Sequence, residues 1–338
     1  MKKIQKNALI GAGVIGKVHS RCLADMGKPF TAICDIDKDK AAAMAGEWAP
    51  DALIYTDYKQ MIDELEPDVI HVCTPHYLHA EMIIYALSKG VNVLCEKPLC
   101  ISLDQVEQIR RARESSKAQL GVCFQNRYLG SNIFAKEFLK DKEIDSAHGS
   151  VIWHRDADYY RADPWRGSFA LEGGGVMINQ AIHTLDLIAW LCGMPEYVLA
   201  KTDNLSLRGV IEVEDTASAF FEGENNFSFY ATNAASSNMP VSIDIRLSNK
   251  DLLSILPNSV SLNGELIYSQ KKQSFAGKSY YGGGHGLLIP DFYRHVEEGI
   301  PFPIDDKEAA KVLSLVLAIY ESRGERIKIK YPEGGEKV

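Results

Sequence analysis

Gly11, Gly13 and Gly16 are spaced as Gly-x-Gly-x-x-Gly, between the apolar run Asn7-Ala8-Leu9-Ile10 and a helix-forming stretch that opens at Lys17. Glycine at the first position permits a sharp turn, at the second lets backbone amides approach a pyrophosphate, and at the third packs the helix closely on its strand. Val14 and Ile15 complete this loop. Further on, the apolar run Phe30-Thr31-Ala32-Ile33-Cys34 ends in Asp35. A carboxylate there accepts hydrogen bonds from ribose hydroxyls and repels a 2′-phosphate, so NAD is expected and NADP is disfavoured. Taken singly, the glycines fit any tight turn in an α/β protein, and Asp35 fits a helix N-cap.

Two more constellations could carry chemistry. Val91-Asn92-Val93-Leu94-Cys95 reads as a strand followed at once by Glu96-Lys97-Pro98. In open α/β sheets ligands sit beyond the carboxyl ends of strands, which delivers Lys97 to the edge of a bound dinucleotide. Pro98 restrains Lys97 to extended backbone and is a candidate for a cis bond. A lysine partly desolvated beside a positively charged ring loses some preference for its proton and becomes usable as an acid or base. A surface lysine paired with Glu96 is the alternative. The second constellation runs from Gly173-Gly174-Gly175 through Asn179, His183 and Asp186. On one α-helix these polar groups form a stripe among apolar neighbours, able to present an amide and an imidazole to hydroxyls. A satisfied core histidine is the competing reading of His183.

Positioning these groups requires two domains. Residues 1–124 alternate strand-like and helix-like segments in βαβ fashion, which implies a doubly wound parallel sheet. Strands are expected near 6–11, 29–34, 52–55, 68–73, 91–95 and 119–124. Helices fall between them, with Gly27 and Gly90 as stops and Ser102-x-x-Gln105 as a capping box. Residues 125–338 read as an α+β domain with a large, mostly antiparallel sheet. It holds a helix near 131–140, a strand at 149–154, a helix from Val176 to Leu191, and alternating strands after Pro195. Helices near 289–298 and 305–322 and a short strand at 326–330 close the chain, and these helices are candidates to pack back on the first domain.

A length of 338 residues suits two cores, and a composition of 46% hydrophobic and 24% charged residues is that of a soluble globular protein. Net charge is −8, with basic residues nowhere clustered beyond pairs, which argues against nucleic acid as a partner. The apolar stretch after Met1-Lys2-Lys3 is interrupted at Lys17 and His19, so it reads as a first strand and not a leader. No run approaches the roughly 18 apolar residues of a membrane span, and a cytoplasmic location is expected. Seven cysteines, an odd number and mostly inside apolar runs, fit buried free thiols in a reducing compartment. Cys-x2-Cys pairs are absent and His76-x2-His79 lacks companions, so no metal site is expected.

Taken together, Gly11 to Gly16, Thr74-Pro75-His76-Tyr77-Leu78-His79, Glu96-Lys97-Pro98, Trp165-Arg166-Gly167 and the block from Gly173 to Asp186 resemble the glucose-fructose oxidoreductase and inositol 2-dehydrogenase family. The resemblance covers nearly the whole chain, including Tyr320-Glu321-Ser322. It implies an NAD-dependent dehydrogenase or reductase that moves a hydride between the nicotinamide and a secondary alcohol or ketone of a sugar, sugar derivative or cyclic polyol. By motif match Lys97 handles the proton of the reacting hydroxyl and His183 faces it across the substrate. Thr74, Pro75, His79 and Glu96 are then expected to line the cofactor, with Trp165 and Arg166 closing over its nicotinamide end. Asn179 and, in looser patterns, Gln125, Asn126, Arg127, Tyr160 and His285 are candidates for the substrate pocket. A homodimer or homotetramer built through the second domain's sheet is also implied. Many relatives carry Asp where this chain has Asn179, and an amide cannot take a proton as a carboxylate does. The departure places proton transfer on Lys97 and His183 and tilts the substrate towards a pyranoside or sugar derivative. Two other readings remain: a cofactor-sensing regulator without catalysis, which need not retain both Lys97 and His183, and a glycosidase whose oxidation is transient, which shares all of these residues.

Overall fold

The computed structural model describes residues 3–270 and 283–332. The chain divides into two compact units, residues 1–125 with 274–309 and residues 126–273 with 310–338. In the first unit, β1 (Asn7–Ile10), α1 (Val14–Asp25), β2 (Ala32–Cys34), α2 (Lys38–Trp48), β3 (Leu53–Tyr55), α3 (Tyr58–Leu65), β4 (Val69–Val72), α4 (His79–Ser88), β5 (Asn92–Cys95), α5 (Leu103–Glu114) and β6 (Leu120–Val122) follow one another. The strands form a parallel sheet in the order β3-β2-β1-β4-β5-β6. Both faces carry helices, so β1 and β4 are buried at every position, as a doubly wound sheet demands. Local chemistry sets the helix ends. The Asp37 carboxylate accepts from the Asp39 and Lys40 amides, and Asp57 does the same for Lys59 and Gln60. Ser102 accepts from the Gln105 amide, but the returning arm of the expected capping box reaches Ile101 N–H and not Ser102. Gly27 and Gly90, at φ 67° and 74°, occupy the left-handed region just past α1 and α4.

The helix His285–Glu298 and the segment after it belong to this first unit, although they follow the second domain in sequence. Val122 N–H donates to the Ile304 carbonyl at 2.9 Å, and the Gln119 side chain bridges Phe302 N–H and the His295 carbonyl. Gly121 makes room for this packing, since a Cβ there would lie 2.8 Å from the Phe292 ring and 2.9 Å from Phe302. Gly121→Ala is therefore expected to destabilise by about 1–3 kcal/mol through overpacking, measurable as a lower midpoint in urea unfolding. The helix starts at His285, four residues before the sequence-based expectation, and Pro290 lies inside it.

In the second unit, α6 (Gly130–Leu139) precedes β7 (Ile144–Ile152), and α7 (Ala157–Arg161) and α8 (Ile182–Cys192) follow. The later strands are β8 (Tyr197–Asp203), β9 (Thr216–Glu222), β10 (Asn226–Thr232), β11 (Ser242–Leu247), β12 (Leu252–Leu256), β13 (Ser259–Leu262), β14 (Glu265–Ser269) and β15 (Arg326–Lys328). They form one sheet in the order β14-β13-β12-β11-β7-β10-β9-β8-β15, antiparallel except between β7 and β10. β7 begins at Ile144, five residues earlier than expected, and its first half, where the register against β11 shifts, exposes Asp145 and His148 and buries Ala147. One face packs on α8, where Ile188 comes against Gly149. The other face carries Leu199 and Phe220, a cross-strand pair each 45% exposed.

The expected helix from Val176 to Leu191 is helical throughout but not uniformly α. Met177–Ala181 forms a π-turn that runs directly into the α-helical Ile182–Cys192. The wider turn breaks the even spacing that would have aligned Asn179, His183 and Asp186 in one stripe. No described helix is long and apolar enough to cross a membrane. All seven cysteines are free thiols, six of them buried.

Candidate active site

The sheet order reverses between β1 and β4, and the loops that follow these strands meet at that switch point. Gly11 turns there at φ 100°, and a Cβ on it would lie 2.5 Å from the Cys73 carbonyl oxygen. At Gly16 a Cβ would meet the Gly11 carbonyl at 2.1 Å, so this helix turn packs backbone on backbone. By contrast, a Cβ on Gly13 would meet nothing within 4 Å. Gly13 also precedes α1 without any side-chain cap, leaving the first amides of the helix directed at open space. A phosphate-sized anion is what such amides and such room accept. Asp35 follows β2 and accepts from Ala12 N–H at 2.7 Å, tying the glycine loop to the end of that strand. Its neighbour Ile36 is 94% exposed and Val14 is 73% exposed, two apolar side chains flanking the loop. Donors, room and carboxylate together fit a dinucleotide.

At the end of β5 the Lys97–Pro98 bond is cis. Lys97 is half-buried, and the backbone on either side of its cis bond is held. The Lys97 N–H donates to Glu96 Oε2 at 3.3 Å, and the Pro98 carbonyl lies 2.7 Å from His79 Nδ1. The other His79 nitrogen is 2.9 Å from the Thr74 carbonyl, so one buried imidazole links the loops after β4 and β5. Behind Glu96 lies a row of buried histidines. Glu96 Oε1 is 3.0 Å from His19 Nε2 and 2.9 Å from His285 Nε2, while His19 Nδ1 is 2.7 Å from His71 Nδ1 and His71 Nε2 is 3.1 Å from the Tyr293 hydroxyl. One proton pattern closes this row: Tyr293 O–H donates to His71, His71 Nδ1–H to His19, and both His19 and His285 Nε2–H to the carboxylate. Burial alone would push the Glu96 carboxyl up, but the bonds from His19 and His285 outweigh it and hold it well below the usual range. Burial lowers His19 and His71, so these imidazoles are neutral at pH 7, and burial lowers His79 against the opposing pull of the Pro98 and Thr74 carbonyls. Cys123 completes a set of donor atoms within 4.8 Å of one another with His19, Glu96 and His285. The N···O separations of 2.9 and 3.0 Å in that set are hydrogen-bond lengths.

In the second unit the glycine strap Gly173–Gly175 is fastened by two buried glutamates. Glu214 accepts from Gly175 N–H at 2.9 Å, Met177 N–H at 3.0 Å and the Tyr320 hydroxyl at 2.9 Å. Burial raises the Glu214 carboxyl to about 7, against the opposing pull of those donors. Glu172 accepts from Gly167 N–H at 2.6 Å and from the Asn179 side-chain amide at 2.5 Å. His183 is buried one turn beyond, on α8. Arg166 stacks over the rings of Tyr159 and Trp165, with its carbon 4.4 and 4.8 Å from their centroids, and the Tyr159 hydroxyl oxygen accepts from the Gln180 amide at 3.0 Å.

Several sequence-based assignments change in the structure. Glu96, expected to line the cofactor, turns its carboxylate into the interior. His285, expected in the substrate pocket, is buried against that carboxylate instead. Arg127, also expected there, forms a buried ion pair with Asp186 at 2.6 Å, which also takes Asp186 out of the polar stripe. The Tyr160 ring packs among Leu207, Ile211 and Val213, and its hydroxyl accepts from Asn233. His79 acts through backbone carbonyls. Asn126 gives its carbonyl to the Asn132 side chain and starts the second unit. Thr74 Oγ1 points to the Met82 sulfur, and Pro75 opens a single 3-10 turn. Gln125 is buried at the end of the first unit, and its Oε1 has no hydrogen-bond partner among the described residues. Sequence reasoning missed His19, His71, Ile36, Glu172 and Glu214. Glu172 alone had a visible signal, an acid placed directly before three glycines.

A doubly wound unit with a dinucleotide cradle, followed by a unit with an antiparallel sheet, defines a nicotinamide-type oxidoreductase architecture. Residues 6–124 match the family model described as "Oxidoreductase family, NAD-binding Rossmann fold", and residues 135–249 match the "GFO/IDH/MocA C-terminal domain". The chain belongs to the Gfo/Idh/MocA oxidoreductase family. Among curated relatives, D-glucoside 3-dehydrogenase of Escherichia coli (strain K12) is 30% identical over 56% of this chain and 54% of the relative. Levoglucosan dehydrogenase of Pseudarthrobacter phenanthrenivorans is 28% identical over 55% of this chain and 50% of its own length. The match thus spans about half the length of these relatives. Among solved structures, the WlbA dehydrogenase from Bordetella pertussis, in complex with NADH and UDP-GlcNAcA, is 26% identical with a TM-score of 0.84 over 98% of this chain and 100% of that one.

Proposed function

We propose that this chain is an NAD(H)-dependent oxidoreductase acting on a secondary alcohol or ketone of a sugar, sugar derivative or cyclic polyol. The observation that carries the reading is Lys97 at the carboxyl end of β5, its N–H held by Glu96 and the carbonyl of the next residue, Pro98, held by His79. The glycine loop and the amides of α1 would hold the pyrophosphate, Asp35 the adenosine ribose, and exposed Ile36 an apolar base face. When bound, the nicotinamide supplies the hydride acceptor. Lys97 takes the proton of the reacting hydroxyl at Nζ, and His183 orients that hydroxyl and shares the proton transfer. Asn179 contacts a neighbouring substituent of the substrate, and Trp165 with Arg166 shields the nicotinamide end from water. Supporting the same reading, relatives that match this chain are named as glucoside and levoglucosan dehydrogenases. A homodimer or homotetramer formed through the sheet face carrying Leu199 and Phe220 is part of the proposal.

A panel of glycosides, nucleotide sugars and inositols, followed at the reduced nicotinamide absorbance with NAD present, tests the activity. Turnover of at least one member is expected, and an inert protein overturns the reading. Asp35→Ser is expected to narrow the preference for NAD over NADP by about tenfold or more, because a charge-assisted bond to the ribose is worth about 1.5–3 kcal/mol. An unchanged ratio of kcat/KM for the two cofactors removes Asp35 from the ribose.

A further inference from the structure

Between Glu172 and Ala189 every residue is buried except Asn179, which the π-turn Met177–Ala181 leaves half-exposed. The strap before it cannot shift to another position. Glu214 binds the amides of Gly175 and Met177, and a Cβ on Gly175 would lie 1.9 Å from the Glu214 carbonyl oxygen. Within this rigid setting Glu172, only 1% exposed, places Oε1 2.5 Å from Asn179 Nδ2 and Oε2 2.6 Å from Gly167 N. Glu172 accepts through both oxygens, so the Asn179 amide nitrogen faces it and the amide oxygen faces away. Aspartate in place of Asn179 would bring two carboxylates to the same separation, where one of them must hold a proton.

We propose that Glu172 is a positioning residue that locks the Asn179 amide, so that Asn179 Oδ1 accepts a hydrogen bond from a hydroxyl or amide N–H next to the substrate's reacting carbon. The pair is a unit: Glu172 makes asparagine obligatory at position 179, and the site thereby selects a hydrogen-donating substituent over a bare carbonyl or carboxylate. The substrate half of this proposal rests on the hydride-transfer reading above. The pairing half does not.

The test is a cycle of Asn179→Asp, Glu172→Gln and the double variant in the full chain, read by melting temperature across pH 5–8 and by kcat/KM on the best glycoside of the panel. Asn179→Asp alone is expected to melt below wild type at pH 8, with the gap closing towards pH 5 as the two carboxylates come to share a proton. Its kcat/KM falls about tenfold or more at pH 8, chiefly through KM. The double variant restores the pair with reversed polarity, since the introduced glutamine amide can accept from Gly167 N–H and donate to the introduced carboxylate, and it recovers most of both losses. A pH-independent gap, or a double variant no better than Asn179→Asp, overturns the pairing. Removing the hydroxyl next to the oxidised carbon is expected to lower wild-type kcat/KM by about tenfold and to leave Asn179→Ala unaffected. Equal losses in both proteins overturn the donor selection. A wild-type protein inert to the whole panel overturns the hydride-transfer reading and the substrate half with it, while the melting cycle still decides the pairing.

Discussion

Lys97→Met is expected to lower kcat/KM by about 10²–10⁴-fold, the range a positioned acid-base group contributes. Methionine keeps most of the length of the side chain and loses its titrating end. The backbone clamp on this residue, from Glu96 Oε2 to its N–H and from the neighbouring Pro98 carbonyl to His79, does not involve the side chain at all. NADH affinity, measured by fluorescence titration, is therefore expected to stay within a few-fold, and the melting temperature to move little. Loss of turnover with binding intact separates a chemical role from a structural one. Turnover within tenfold of wild type would remove Lys97 from proton transfer.

Stability is expected to fall steeply as pH drops from about 6.5 towards 5. His19, His71 and His79 are wholly buried, and burial lowers each of their pKa values below the ordinary 6.5. In the unfolded chain they take up protons as pH falls through about 6.5, whereas the folded protein resists doing so. The unfolded state then binds more protons, which draws the equilibrium towards it by up to about 1.4 kcal/mol per pH unit for each group. Glu214 works in the opposite sense. Its folded carboxyl, raised to about 7, holds a proton that the unfolded glutamate has lost, so its contribution is present at low pH and disappears as pH rises through 7. Three histidines against one glutamate leave a net loss of stability as pH falls below about 6.5. The low Glu96 value adds a further loss once pH falls below the ordinary carboxylate range near 4.5. Urea unfolding at pH 7, 6 and 5 checks this. A flat profile would mean that the histidines are already charged in the folded protein. His71→Gln, at the centre of the row, is expected to lower stability at pH 7 and to flatten the slope.

The two halves of the site differ in how far they could be read before folding. The cradle was legible because it is local. Gly11, Gly13, Gly16 and Asp35 lie on two consecutive strand ends, and their spacing reflects the geometry of one βαβ unit. Lys97 was legible for the same reason, since its strand and its exit from the sheet are set by adjacent residues. Candidates whose partners lie far along the chain were read less well. Arg127 reaches Asp186, His285 reaches Glu96, and Tyr160 reaches Asn233, and in each case the partner decided whether the side chain was available to a ligand.

Sequence alone therefore determined the doubly wound unit, the NAD-type cradle and the position of the lysine, because short-range periodicity and glycine stereochemistry act within a few residues. Tertiary structure alone decided that the late helix His285–Glu298 joins the first unit, that Glu96 faces a row of histidines, and that Asn179 is held by Glu172 across a π-turn. Those outcomes depend on which polar groups become buried together. Burial makes each of them find a partner wherever in the chain that partner lies.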